Sequence, residues 1–126
     1  MAIKYLTIKS PKEFKISPNN CFKSHTSCLT IIVGITPQKY HHTQNIKLNL
    51  ANFCRIGITV SKQVSKKSTI RNLVKRRIKN ALNLIIAKYG KNHRDYIIIA
   101  KKNIVEVSFV NIYNELEFSF KKLNKF

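Results

Sequence analysis

Acidic residues are scarce in this 126-residue chain, where Glu13, Asp95, Glu106, Glu115 and Glu117 stand against 24 lysines and arginines. Five carboxylates so scattered cannot assemble the clustered acids of two-metal phosphodiester cleavage, and no histidine sits in a recognisable acid–base pair. No catalytic residue is assigned, and the chain alone is not expected to cut a polymer. Glycine occurs only three times, so there is no glycine-rich phosphate loop. Internal repeats and low-complexity tracts are also missing. No stretch has the roughly eighteen apolar residues of a membrane helix, and no basic start followed by an apolar core suggests a signal peptide. A cytoplasmic location without membrane association is expected.

Cysteine is sparse too. Cys21, Cys28 and Cys54 are an odd number, which argues against a disulfide framework. With His25, His41 and His42 nearby, Cys21-x3-His25-x2-Cys28 invites a zinc reading. The spacing fits no closed site of paired Cys-x2-Cys or His-x3-His type, however. These residues are read as reduced packing or surface residues, and no metal site is assigned.

What the chain has in excess is positive charge, +19 in all. A compact fold with that self-repulsion is most at ease against phosphates, whose released counterions drive association. The length fits one domain, 1–126, with a real but modest core; residues 1–9 are left as a disordered tail.

The chain is organised around Arg55 to Lys79. From Arg55 to Lys62 the residues alternate as in a half-buried strand, with Ile56, Ile58 and Val60 on one side and Gly57, Thr59 and Ser61 on the other. After the basic loop Gln63 to Lys67, the period becomes helical, with Ile70, Val74, Ile78, Ala81, Leu82, Ile85 and Tyr89 forming one stripe. Ser65 or Ser68 can cap this helix and Gly90 can end it. Asn72, Lys75, Arg76, Lys79 and Asn83 gather opposite the stripe, with Arg71 at its edge. A solvated face is the bland reading. Such faces usually mix signs, whereas this helix has no acid at all, so its like charges repel unless a polyanion neutralises them.

Elsewhere, Ser10-Pro11-Lys12-Glu13 reads as a helix start that Pro18 cuts short. Cys28 to Thr36 is a strand and Pro37 to Asn45 a loop; Ile46, Leu48 and Leu50 alternate as a little extra strand. Tyr96 to Ala100 is a strand apolar on both faces and therefore central, with Lys101 and Lys102 following at its end. Ser108 caps a last helix carrying Phe109, Ile112, Tyr113, Leu116, Phe120 and Leu123. The periods predict an α+β domain in which three strands form one sheet with the Ser68 to Tyr89 helix packed on a face.

Arg55-Ile-Gly-Ile-Thr-Val-Ser-Lys62, the spaced Arg71-Asn72-x-x-Lys75-Arg76, and Asp95-Tyr96-Ile97-Ile98-Ile99-Ala100 resemble, in order and spacing, the bacterial ribonuclease P protein subunit. The resemblance implies an αβββαβα order around a mixed central sheet, like the second domain of ribosomal protein S5, with a left-handed βαβ crossover against the usual right-handed rule. It implies that the RNA subunit is the catalyst and uses magnesium ions, while the protein binds no cofactor alone and needs no obligatory protein partner. The implied partners are ribonuclease P RNA and precursor tRNA, whose 5′ leader the enzyme removes. Carried over residue by residue, Arg71, Asn72, Lys75, Arg76 and Lys79 resemble the motif that docks on the catalytic RNA. Phe14, Thr59, Ser61, Lys62 and Lys101 are the candidates for the leader cleft. Leu73 stands where a third arginine is usual, Gln63 where lysine is common and Pro18 where a second aromatic is expected. The alternative is a non-catalytic structural RNA-binding protein, a small basic ribosomal protein or RNA chaperone, although long disordered basic tails typical of these are absent.

Overall fold

Residues 4–7, 21–35, 53–91 and 94–124 are described by the computed structural model. Phe14, the helix start at Ser10, His41, His42 and the stretch 46–50 lie outside them. The elements run β1 (Lys4–Thr7), β2 (Cys21–His25), β3 (Leu29–Ile35), β4 (Phe53–Thr59), α1 (Ser68–Tyr89), β5 (Arg94–Ala100), a 3-10 turn at Lys102–Glu106, and α2 (Phe109–Leu123). The sheet order is β1-β4-β5-β3-β2. β1 and β4 are parallel, as are β4 and β5, while β3 runs antiparallel to β5 and β2 antiparallel to β3. The expected mixed α+β domain is observed, and the apolar run of β5 sits at its centre.

Two edges differ from the sequence reading. Lys4–Thr7, assigned to a disordered tail, is strand β1, with Lys4 opposite Phe53 and Thr7 opposite Ile56. Four residues are too few to show a period, and their order comes from backbone pairing with β4. Cys21–His25, to which the sequence reading gave no element, forms strand β2. Its turn to β3 contains no glycine, proline or asparagine; instead Thr26 closes it, its Oγ1 accepting from Leu29 N at 3.2 Å while Thr26 N donates to Leu29 O at 2.8 Å. The Cys-x3-His spacing now has a geometry. Cys21 and His25 stand four residues apart on one strand, about 13 Å, too far to share an ion. Cys28 is buried in the turn, where burial and then the neighbouring Glu115 push its thiol up to about 12.

Both helices cover the same face. Tyr96 stacks on Phe120 with centroids 4.7 Å apart, and the buried Ser24 Oγ donates to Ser119 Oγ at 3.1 Å. Leu29, Ile31, Ile56 and Ile98 from the sheet meet Val74, Ile78, Leu82 and Ile85 of α1 and Ile112, Leu116 and Phe120 of α2 in one core. Each fully buried aliphatic here contributes about 1.5–3 kcal/mol. Ile97 is buried outside that core, on the opposite face. There the pairing register also places Arg55 beside Asp95 and carries a row, Thr59, Ile99, Thr30, His25, across the sheet.

The ends of the helices obey different rules. Ser108 caps α2, accepting from Asn111 N at 3.3 Å, as its position suggests. For α1 the cap position is Lys67, which makes no side-chain capping bond, so neither Ser65 nor Ser68 serves. Gly90 ends α1, donating to Ile86 O at 3.0 Å, yet its φ is −64°, which any residue adopts. Glycine is required by space instead, because a Cβ would lie 2.8 Å from Ile86 O. Gly90→Ala is therefore expected to destabilise the fold by about 1–3 kcal/mol through overpacking. Urea unfolding midpoints check this, and an unchanged midpoint would show that the helix end yields freely.

Candidate nucleic-acid interface

The helix α1 presents its cations as its period demands. Asn72, Arg76, Lys79 and Asn83 are exposed and Lys75 is half-buried, while Val74, Ile78, Ala81, Leu82, Ile85 and Ile86 are buried beneath them. No acid stands in its first turn, and none follows in the remaining turns. The exposed face is thus a run of ammonium and guanidinium groups on a rigid rod anchored in the core. Its chemistry suits regularly spaced phosphates. Leu73 and Arg77 are half-buried at the borders of this face.

Arg71 has a second task. Its Nη1 donates to Ser65 O at 2.9 Å and to Lys66 O at 3.0 Å, so it fastens the loop before α1 in the place a serine cap was expected to hold. The loop is tight. Val64 N donates to Ser61 O at 3.0 Å, and Ser61 Oγ and Ser65 Oγ accept from Gln63 N and Lys67 N.

This loop corrects the reading of Ser61 and Lys62 as strand residues. β4 ends at Thr59, and Ser61 and Lys62 occupy the exposed turn beyond it. The alternation Thr-Val-Ser-Lys continued the strand rhythm on paper, but the turn bond from Val64 and the burial of both Val60 and Val64 fold the chain over instead. Gly57 is buried, whereas Thr59, on the same side of the strand, is exposed.

At the carboxyl ends of β4 and β5 the turn leaves a cleft of about 580 Å³ lined by Ser61, Gln63, Val64, Ala100, Lys101 and Lys102. Of the five leader-cleft candidates, Ser61 and Lys101 line it, Thr59 and Lys62 lie within two residues of Ser61 in the chain, and Phe14 lies outside the described residues. Gln63, Val64 and Lys102 were not among those candidates. The end-on position of Lys102, directly after a central strand, was the available signal. A second hollow of about 450 Å³ shares Val64 and Lys102 and continues over Ser65, Asn103, Val105 and Glu106.

Lys101 is the best-fixed cation there. Its Nζ donates to Thr26 O at 2.6 Å and its backbone N to Cys28 O at 2.9 Å. One of three ammonium donors is thereby used, and the charge is held beside the cleft. Among the described residues no three His, Cys, Asp or Glu side chains gather to hold a metal ion. Cys54 is also buried, and burial, with Asp95 adding to it, raises its thiol to about 12. Neither it nor Cys28 offers a thiolate near neutral pH.

A basic α+β fold thus carries a cationic helix face and a separate, lysine-edged cleft on different elements, two surfaces whose chemistry suits a polyanion. The comparisons with known proteins are specific. The ribonuclease P family model matches residues 4–124, and the chain belongs to that family. It is 30% identical to the ribonuclease P protein component of Idiomarina loihiensis over 95% of this chain and 85% of that one, and 29% identical to that of Rickettsia akari over 87% and 90%. The match to the Streptococcus thermophilus protein component, at 38%, spans 54% of this chain and 58% of that protein's length. In architecture it resembles the Staphylococcus aureus RNase P protein, with a TM-score of 0.68, 21% identity, and 92% and 93% of the chains covered. The Thermotoga maritima protein gives 0.58 at 16% identity, with 86% of each chain covered.

Proposed function

We propose that this chain is the protein component of a ribonuclease P, docking on the catalytic RNA through Asn72, Lys75, Arg76 and Lys79, with Arg71 at the edge, and holding the 5′ leader of precursor tRNA in the cleft beside Thr59, Ser61, Lys62 and Lys101. The observation that carries this reading is the separation of the two cationic surfaces: one lies along a helix, the other across the ends of two parallel strands. A protein that bridges an RNA scaffold and a single-stranded leader needs two such faces at a fixed distance, and rigid elements provide it. Magnesium would be held by the RNA, since the described residues of this chain offer no carboxylate cage for it. The protein's part is to bind and orient, in the cytoplasm. Phe14, beyond the described residues, would add a stacking surface for one base. The full family match, rather than charge, favours this over a structural RNA-binding protein.

The test compares affinities of the assembled enzyme for tRNA with and without a leader. A Phe14→Ala, Lys62→Ala double variant is expected to assemble normally with the RNA and to lose about 1–3 kcal/mol of the preference for the leader, the worth of one stacked base. Failed assembly with the preference intact would mean that the two faces are assigned the wrong way round.

A further inference from the structure

Glu115 is one of five acids in a chain of net charge +19, and it points into the β2–β3 turn. From α2, its Oε2 accepts from Ser27 Oγ at 2.8 Å and its Oε1 from Cys28 N at 3.1 Å. The same turn receives both donors of Lys101, the side-chain ammonium at Thr26 O and the backbone amide at Cys28 O. The carboxylate and the lysine therefore both bond to the same three residues. Glu115 is fixed in turn by its neighbours Ile112 and Leu116, both fully buried. Burial by itself would raise this carboxyl, but hydrogen bonds from Thr26, Ser27 and Cys28 outweigh it and leave the group below its ordinary range, so it is ionised wherever the protein binds RNA.

We infer that Glu115 is a positioning residue for the leader cleft, acting through the Thr26–Cys28 turn to hold the Lys101 ammonium at the cleft wall. This rests on the reading of that cleft as the leader site. The turn lacks a proline that would restrict its backbone by itself, and Thr26 and Leu29 close only its base. Without Glu115 the carbonyls that receive Lys101 lose their outer support. A four-carbon stem with free rotamers then spreads its charge over many positions.

Charge alone predicts the opposite sign. Removing an acid from a polyanion-binding protein raises its positive field and strengthens phosphate binding; removing a brace weakens binding at one contact. The experiment uses the full protein assembled with ribonuclease P RNA and reads the ratio of affinities for leader-bearing and leaderless tRNA. Lys101→Ala is expected to lower the ratio about fivefold at 0.1 M salt, one single-strand phosphate contact. Glu115→Ala should lower it about two- to fivefold, and the double variant no further than Lys101→Ala alone, because the two act as one unit. Glu115→Gln should restore most of the ratio, since an amide can accept from Cys28 N and donate to Ser27 Oγ. Should Glu115→Ala fold poorly, Ser27→Ala removes a single brace bond and should give a smaller loss in the same direction. A rise or no change on Glu115 or Ser27 substitution, with Lys101→Ala still harmful, overturns the inference alone. An intact ratio in Lys101→Ala overturns the leader reading of the cleft and the inference with it.

Discussion

Replacing Asp95 with alanine is expected to remove about 3–5 kcal/mol of folding stability, the largest single effect among the polar residues. Asp95 and Arg55 are paired residues on the parallel strands β5 and β4, with Nε and Oδ1 3.5 Å apart and side chains 5% and 1% exposed. The guanidinium of a buried arginine is a cation that needs its counter-charge beside it. Removing the carboxylate leaves a cation in a poorly hydrated place. Small domains are stable by only about 5–15 kcal/mol, so the variant should be largely unfolded under mild denaturant or heat. Urea unfolding of the isolated protein gives the number. An Arg55→Met, Asp95→Leu double variant should recover much of the loss, since a buried ion pair is often worth no more than an apolar pair of similar volume. A loss below about 1 kcal/mol for Asp95→Ala would show that Arg55 reaches water, and the pair would then not hold the two strands.

That pair was not legible in the sequence, although both residues belong to the motifs that carried the family resemblance. Arg55 and Asp95 are separated by a helix, and only the parallel register of β4 and β5 brings them together. The legible parts were those with a long period or a named cap: α1 and α2 by their apolar stripes, Ser108 at the start of α2, and β5 by its lack of a polar side. Short segments were not. β1 has four residues, and β2 is an edge strand of mixed polarity whose turn is closed by Thr26 rather than by a turn-forming residue. At Ser61 and Lys62 a local rhythm misled, because alternation cannot reveal that Val60 and Val64 both turn into the core. The candidate docking residues were readable because a helix face is a direct consequence of spacing. The cleft was readable only in part, since Gln63, Val64 and Lys102 join Ser61 and Lys101 through strand ends that meet in space.

On the helix face, Lys75→Ala with Arg76→Ala is expected to weaken binding to ribonuclease P RNA by roughly tenfold or more and to lower the slope of log affinity against log salt by about one to two units. Each phosphate neutralised by a side chain contributes about 0.9 to that slope in a duplex, about eightfold in affinity at 0.1 M salt. Arg76 is exposed and Lys75 half-buried on the solvent side of α1, so folding should change little. Loss of like charges along an acid-free helix should even relieve repulsion slightly. Arg71→Ala should behave differently, because its guanidinium also holds Ser65 O and Lys66 O, and its loss should loosen the loop beside the cleft as well. The double variant measures phosphate contact with the least structural interference. The measurement is a salt titration of the assembly constant, with circular dichroism as the folding control. An unchanged slope in a folded Lys75→Ala, Arg76→Ala protein would mean that this face of α1 does not meet the RNA, and docking would have to be sought on another surface of the domain.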